Sequence, residues 1–152
     1  MDYPVYEDTP RADIWIRAVL FLPALIILIV MFLMPAEEPW IPAFLVFLAL
    51  ISSGLPFLII PTRLSILNSA IRIGFRLPFP LLIPFSTVVT LRPSRWSTFG
   101  INLPTNLSQR NAVDIIRKNR LSVTVTPSDR QAFLANFDKA FKEWQTYEGR
   151  GQ

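Results

Sequence analysis

The chain contains no cysteine and no histidine. The first absence excludes disulfides and thiolate chemistry. The second removes the commonest general base and the commonest protein ligand for zinc or haem. It also removes any imidazole that would hold a bacteriochlorophyll. Serine and threonine are plentiful, but no histidine stands ready to activate them as nucleophiles. Asp114, Asp129, Asp138, Glu143 and Glu148 are scattered, without the spacing of a metal site. The expectation is a protein that is not an enzyme and binds neither metal nor cofactor. No nucleic-acid motif is present, so nucleic acid is not an expected partner either.

Charge is scarce in one long stretch. Residues 18–60 hold two ionisable groups, Glu37 and Glu38, although the chain as a whole carries 15 basic and 11 acidic residues. Apolar residues make up 51% of the 152 and the mean hydropathy is +0.39. The excess is concentrated in two runs, 14–34 and 40–60. Each is long enough, at ~1.5 Å per helical residue, to cross a hydrocarbon core of ~30 Å. Only Arg17 interrupts the first. Between them Pro35, Ala36, Glu37, Glu38 and Pro39 allow only a sharp reversal, with prolines that stop one helix and start the next. Trp15 and Trp40 stand where indoles favour membrane–water interfaces. Arg17, about one turn inside the first run, is expected to snorkel to the headgroups; the sharper reading is an ion pair with a partner's carboxylate. Pro23 and Pro56 should bend the helices. Ser52, Ser53 and Gly54 form a small-residue patch expected to face the first helix, or else a foreign one.

A cleaved signal peptide would want a basic start and a shorter apolar run; this start is acidic and the run is long. A buried soluble hairpin would carry polar stripes at helical spacing, and neither run does. The expectation is a two-helix transmembrane hairpin over 14–60. Net charge is −2 over residues 1–17, −2 in the inter-helix loop and +8 over 61–152. The positive-inside rule then puts both termini in the cytoplasm of a bacterial inner membrane, with Glu37 and Glu38 outside.

The chain after residue 62 reads as a separate domain over 62–147, with a tail over 148–152; residues 1–13 read as a cytoplasmic N-terminal segment. Segments 62–67 and 71–76 alternate apolar and polar residues about Asn68, Ser69 and Ala70, a hairpin signal. Segment 84–91 is rich in β-branched residues, a weaker strand is expected at 98–103, and 112–117 with 121–126 makes a second hairpin turning at Lys118 and Asn119. After Pro127, Ser128 stands in capping-box spacing to Gln131. Asp129 then fits a first-turn acid favoured by the helix dipole. Phe133, Phe137, Phe141 and Trp144 recur as one apolar helical stripe, expected to plug the open end of a small bent sheet.

These elements in this order, with TRLSIL and IRIGF about a turn, the strand IPFSTVVTL and the closing SVTVTPSDRQAFL, resemble the bacterial pleckstrin-homology-like domains of small membrane proteins. Thr126, Pro127, Phe133 and Leu134 fall where that family has Thr-Pro leading into a capped helix with Phe-Leu. The resemblance covers residues 55–145. It implies a half-open barrel of about seven antiparallel strands capped by the C-terminal helix, and an α+β, mainly β domain behind the membrane hairpin. It implies a lipid-proximal or protein-binding module; some relatives help to assemble bacterial photosynthetic complexes. Segment 77–83 departs from the family's usual polar turn.

The site expectations follow from charge and exposure. Arg63, Arg72 and Arg76, with Arg17, Trp15 and Trp40, are expected at the membrane, where each basic residue gains ~1 kcal/mol near anionic headgroups. Arg92 and Arg95 flank Trp96. Arg117, Lys118 and Arg120 at a hairpin tip read as a solvated positive face. Leu77, Phe79 and Leu81 in a proline-broken apolar segment read equally as an exposed contact for membrane or partner and as a core-facing connection. The expected partners are membrane lipids and other membrane protein subunits. The leading functional expectation is a membrane-anchored adaptor. The alternative is a structural or assembly subunit of a larger membrane complex, bound through the hairpin.

Overall fold

The computed structural model describes residues 3–33, 38, 40–94, 100–103, 105 and 110–149. Two helices lie side by side, α1 (Ile14–Leu33) and α2 (Trp40–Ile59), each of 20 residues. Among the described residues α1 alone is long and apolar enough to cross a membrane by length and composition. The described apolar stretch of α2, Trp40–Gly54, is shorter. Only 6% of the apolar window of α1 is buried inside the protein, so α1 is not a core helix of a soluble fold. Pro23 lies inside α1 without ending it. The reversal between the helices lies outside the described residues except for Glu38.

The rest is two four-stranded sheets and a C-terminal helix, an α+β arrangement. The first sheet has the order β1 (Tyr6–Asp8), β2 (Arg63–Ile66), β3 (Ala70–Gly74) and β4 (Leu81–Pro84). The second holds β5 (Val88–Pro93), β6 (Gly100–Leu103), β7 (Val113–Arg117) and β8 (Ser122–Val125), in the order β5-β7-β8-β6. Both expected hairpins are present. β2 pairs with β3, and β7 with β8 through a turn in which Asn119 takes a positive φ of 54°. Asparagine tolerates that left-handed conformation better than most residues.

Four expectations need correction. Among the described residues there are eight strands where about seven were expected, because a strand drawn from before the helix pair joins the sheet formed after it. β1 runs antiparallel to β2 with Tyr6 opposite Ile66 and Asp8 opposite Leu64. The sheets are not wholly antiparallel, since β6 lies parallel to β8. A Cβ on Gly100 would collide with the backbone carbonyl of Ser122, so only glycine allows that approach.

The single strand expected over 84–91 is broken. Pro84 ends β4, residues Phe85–Thr87 form a 3-10 turn, and β5 begins in the other sheet. Proline lacks the N–H that would continue a ladder. The backbone of Phe85 instead donates to Ser69 O (2.8 Å), and the Thr87 hydroxyl donates to Pro84 O (2.8 Å). Finally, Ser128 does not cap α3 (Arg130–Gly149). Asp129 does: its Oδ1 accepts the N–H groups of Gln131 (2.8 Å) and Ala132 (3.0 Å).

The core lies between the sheets under α3. It includes Leu64, Ile66, Ile71 and Ile73 from the first sheet, Val113, Ile115, Val123 and Val125 from the second, and Phe133, Phe137 and Ala140 from the helix. Phe85, 1% exposed at the sheet-to-sheet corner, meets Phe137, Phe141 and Trp144 edge-on at ring centroid distances of 5.4, 5.7 and 6.0 Å. The expected aromatic stripe therefore does close the core.

Candidate functional site at the foot of the helix pair

The N-terminal segment is acidic and the domain is basic, and the two are joined by specific bonds. Glu7 Oε1 sits 2.8 Å from Arg63 Nε. The Ser128 backbone N–H donates to Asp8 Oδ2 at 2.7 Å. The ring of Tyr6 meets Phe133 edge-on at 6.0 Å. Burial, with the carboxylates of Asp8 and Asp129 nearby, pushes the Tyr6 hydroxyl above its ordinary range. Further along, Asp13 N–H donates to Thr105 O at 2.8 Å. Residues 6–13 thus run along the domain as a strand and then a strap before α1 departs. Nothing in the residue pattern of a three-residue strand marks it as belonging to a sheet formed more than fifty residues later.

Where α1 leaves and α2 returns, a cavity of about 450 Å³ opens. Its lining includes Thr9, Arg11 and Ala12 of the strap, Arg17 of α1, Ile60, Pro61 and Thr62 after α2, and Arg76 after β3. Arg17 and Arg76, both expected at the membrane, are brought together here. Arg11 joins them, although its sequence position gave no sign of it. No carboxylate lines this cavity among the described residues. The other expected contacts are distributed differently. Arg63 is engaged by Glu7, both partly exposed. Arg72 lies on the outer face of β3, exposed, near Arg63 in a neighbouring cleft of about 350 Å³. Trp15 and Trp40 are both largely exposed, at the N-terminal ends of their helices.

The apolar segment divides. Leu77 and Phe79 project outward, Phe79 with 78% of its surface exposed, whereas Leu81 packs against the core as part of β4. Leu81 is partly buried, because alternation along β4 turns it toward the core. The small-residue patch is built from local contacts. The hydroxyls of Ser52 and Ser53 both donate to Ala49 O, at 3.0 and 2.9 Å, and Ala49 is itself buried. Nothing lies within 4 Å of a Cβ on Gly54, so at that position the patch does not face α1.

Two other polar groups are structural. Asp114, fully buried, accepts from the Thr124 hydroxyl at 2.7 Å and lies 3.7 Å from Arg92 Nε. Arg117, at the base of the expected solvated cluster, is half-buried, and burial beside Arg120 lowers its basicity. Arg95 and Trp96 lie outside the described residues. Among the described residues no cluster of three or more acidic, histidine or cysteine side chains is placed to hold a metal. No family model, curated protein or solved structure matches this chain.

Proposed function

We propose that this protein is a non-enzymatic adaptor of a bacterial inner membrane, anchored by α1 and α2 as two transmembrane helices. A pleckstrin-homology-like domain on the cytoplasmic face would bind anionic lipid headgroups or protein partners. The observation that carries the reading is the pairing of β1, before α1, with β2, after α2. Both ends of the helix pair return to one folded body, as a membrane hairpin requires. Removal of α1 as a cleaved signal would take β1 out of the first sheet. The large apolar side chains that both helices leave exposed, from Val19, Phe21 and Leu25 on α1 to Phe44, Phe47 and Leu50 on α2, fit a lipid environment and not water. The basic excess of the domain supports the cytoplasmic orientation. Two sheets closed by an aromatic-striped C-terminal helix support the pleckstrin-homology-like reading. Exposed Leu77 and Phe79, beside the clefts at the foot of the helices, are the side chains offered to membrane or partner.

A second reading is a structural or assembly subunit of a larger membrane complex. It is favoured by the open space at Gly54, where a foreign helix can approach closely. Purification of the full chain in mild detergent, with mass spectrometry of co-purifying chains, separates the two. A stoichiometric partner that survives washing would sink the free-standing adaptor. Binding of the reconstituted full chain's domain face to added anionic vesicles should weaken steeply with salt; no binding at low salt removes the lipid role. Protease added outside intact cells should cut only at the loop between the helices, and cleavage of the domain from outside would refute the orientation.

A further inference from the structure

We infer that the loop between β3 and β4 inserts Leu77 and Phe79 into the cytoplasmic leaflet, at the boundary of headgroups and acyl chains, as a third membrane contact beside the two helices. This deepens the membrane-anchor reading and rests on it. Strand register sets the level of the loop. β3 runs from Ala70 to Gly74, and Gly74 lies opposite Arg63, shortly after α2 ends at Ile59. The Thr62 N–H donates to Gly74 O at 2.8 Å. Beyond that pair one chain leads back through Pro61 and Ile60 to α2. The other continues in the same direction through Phe75 and Arg76 into the loop, because the two strands are antiparallel. Arg76 and Ile60 accordingly line one cavity with Arg17 of α1, and Leu77, Pro78 and Pro80 line the neighbouring cleft with Thr62. β4 then returns with Leu81 opposite Ile73. The apex of the loop is thus level with the foot of both helices.

The chemistry of the apex suits that depth. Leu77 and Phe79 are both exposed, Phe79 over 78% of its surface. Pro78 and Pro80 flank Phe79. Proline has no backbone N–H, so along 77–80 only Leu77 and Phe79 carry a donor that must find a partner away from bulk water. Those donors and the loop carbonyls still need water or headgroups, which limits entry to the interface and excludes the hydrocarbon centre. Trp15, exposed in the first turn of α1, marks the same level with a ring that favours it. A single exposed apolar side chain is ordinary by itself. Leu121, 51% exposed, is one. It lies at the other end of the sheets, where the Lys118 N–H donates to Thr87 O and the Phe85 N–H to Ser69 O, in the turn that precedes β3. Position together with exposure assigns Phe79, and not Leu121, to the leaflet. A contact at this loop, added to the two helix connections, holds the domain at one tilt to the membrane.

The chain has no cysteine, so an introduced thiol reports one position at a time. The test uses the full chain in nanodiscs of phosphatidylethanolamine and phosphatidylglycerol, with an environment-sensitive fluorophore attached through Phe79→Cys, Leu77→Cys or Leu121→Cys. All three side chains are exposed, so the substitutions leave the core untouched. The labels at positions 79 and 77 should emit further to the blue and be quenched by nitroxides on the upper acyl chains. The label at position 121 should be quenched by aqueous iodide and not by lipid nitroxides. A water-soluble maleimide should react with unlabelled Phe79→Cys about tenfold more slowly than with Leu121→Cys, the effect of raising a thiol pKa by about one unit in apolar surroundings. Labels at 79 and 77 that iodide reaches and lipid nitroxides do not would overturn the insertion. Equal lipid quenching at 79 and 121 would overturn it too, since the domain would then lie on the membrane in no fixed orientation. Slow maleimide reaction at position 79 in native membranes, but fast reaction in nanodiscs of the purified chain, would show that a protein covers the loop and defeat the lipid assignment. Alkaline washing of membranes distinguishes the two levels of failure. A chain released by the wash sinks the anchor and the insertion together, whereas a chain that stays with its loop in water sinks only the insertion.

Discussion

Tyr6→Ala should loosen a sheet whose other strands lie beyond the helix pair. The ring of Tyr6 is half-buried and packs edge-on against Phe133 at 6.0 Å. Truncating a fully buried aromatic costs about 3–5 kcal/mol. Half-burial reduces that to about 2 kcal/mol, of which the aromatic pair accounts for ~0.5–1.5 kcal/mol. The neighbours of Tyr6 hold the strand more weakly. Glu7 and Arg63 are exposed enough that their ion pair is worth about 0–1 kcal/mol. The bond from Ser128 N–H to Asp8 is worth about 1 kcal/mol at an exposed site. Tyr6 is therefore the main side-chain anchor of β1, beside the backbone ladder to β2. Against a typical domain stability of ~5–15 kcal/mol, the domain should stay folded while β1 frays. Hydrogen exchange of the full chain in detergent is the assay. The edge of β2 paired to β1, from Leu64 to Ile66, should lose protection, as should the start of α3 around Phe133. Protection in the β7–β8 hairpin should fall only by the global destabilisation. Unchanged protection of β2, with stability within ~0.5 kcal/mol of the parent, would refute the claim that the N-terminal segment is a strand of this domain.

Phe85→Ala, which empties the corner where the sheets meet α3, should cost about 3–5 kcal/mol by chemical denaturation in detergent; a loss under ~1 kcal/mol would deny that corner its part in the core. Thr124→Val removes the 2.7 Å donor to the buried Asp114 carboxylate and should lower stability by about 1.5–3 kcal/mol, the usual worth of a hydrogen bond to a charged group, with no measured change refuting it. Raising pH should destabilise the domain from about pH 10 upward. Tyr6 holds its proton more tightly folded than unfolded, so its contribution is intact below the unfolded value and lost as pH rises through the folded one. Tyr6→Phe should flatten that alkaline limb, and an unchanged limb would remove Tyr6 as its source.

Several features were legible in the residues themselves. The absence of cysteine and histidine removed whole classes of chemistry. The two apolar runs set the helix bounds to within a residue or so, because helix length follows directly from the length of a nearly charge-free apolar run. The β2–β3 and β7–β8 hairpins, and the stripe of Phe133, Phe137, Phe141 and Trp144, follow from period and turn residues alone, both local properties. What depended on distant partners was not legible. β1 is too short to declare itself and exists only because β2 offers an open edge. Pro84 and Phe85 turn one apparent strand into two because the ladder on one sheet ends there and the buried ring is needed at the corner. Asp129, not Ser128, caps the helix, while the Ser128 N–H is held by Asp8, a residue that precedes the helix pair in the chain. Arg11, Arg17 and Arg76 are unremarkable in sequence. Only the return of the chain to its own N-terminal strap brings three like charges around one cavity, and that convergence is a property of topology, to which no local pattern of residues points.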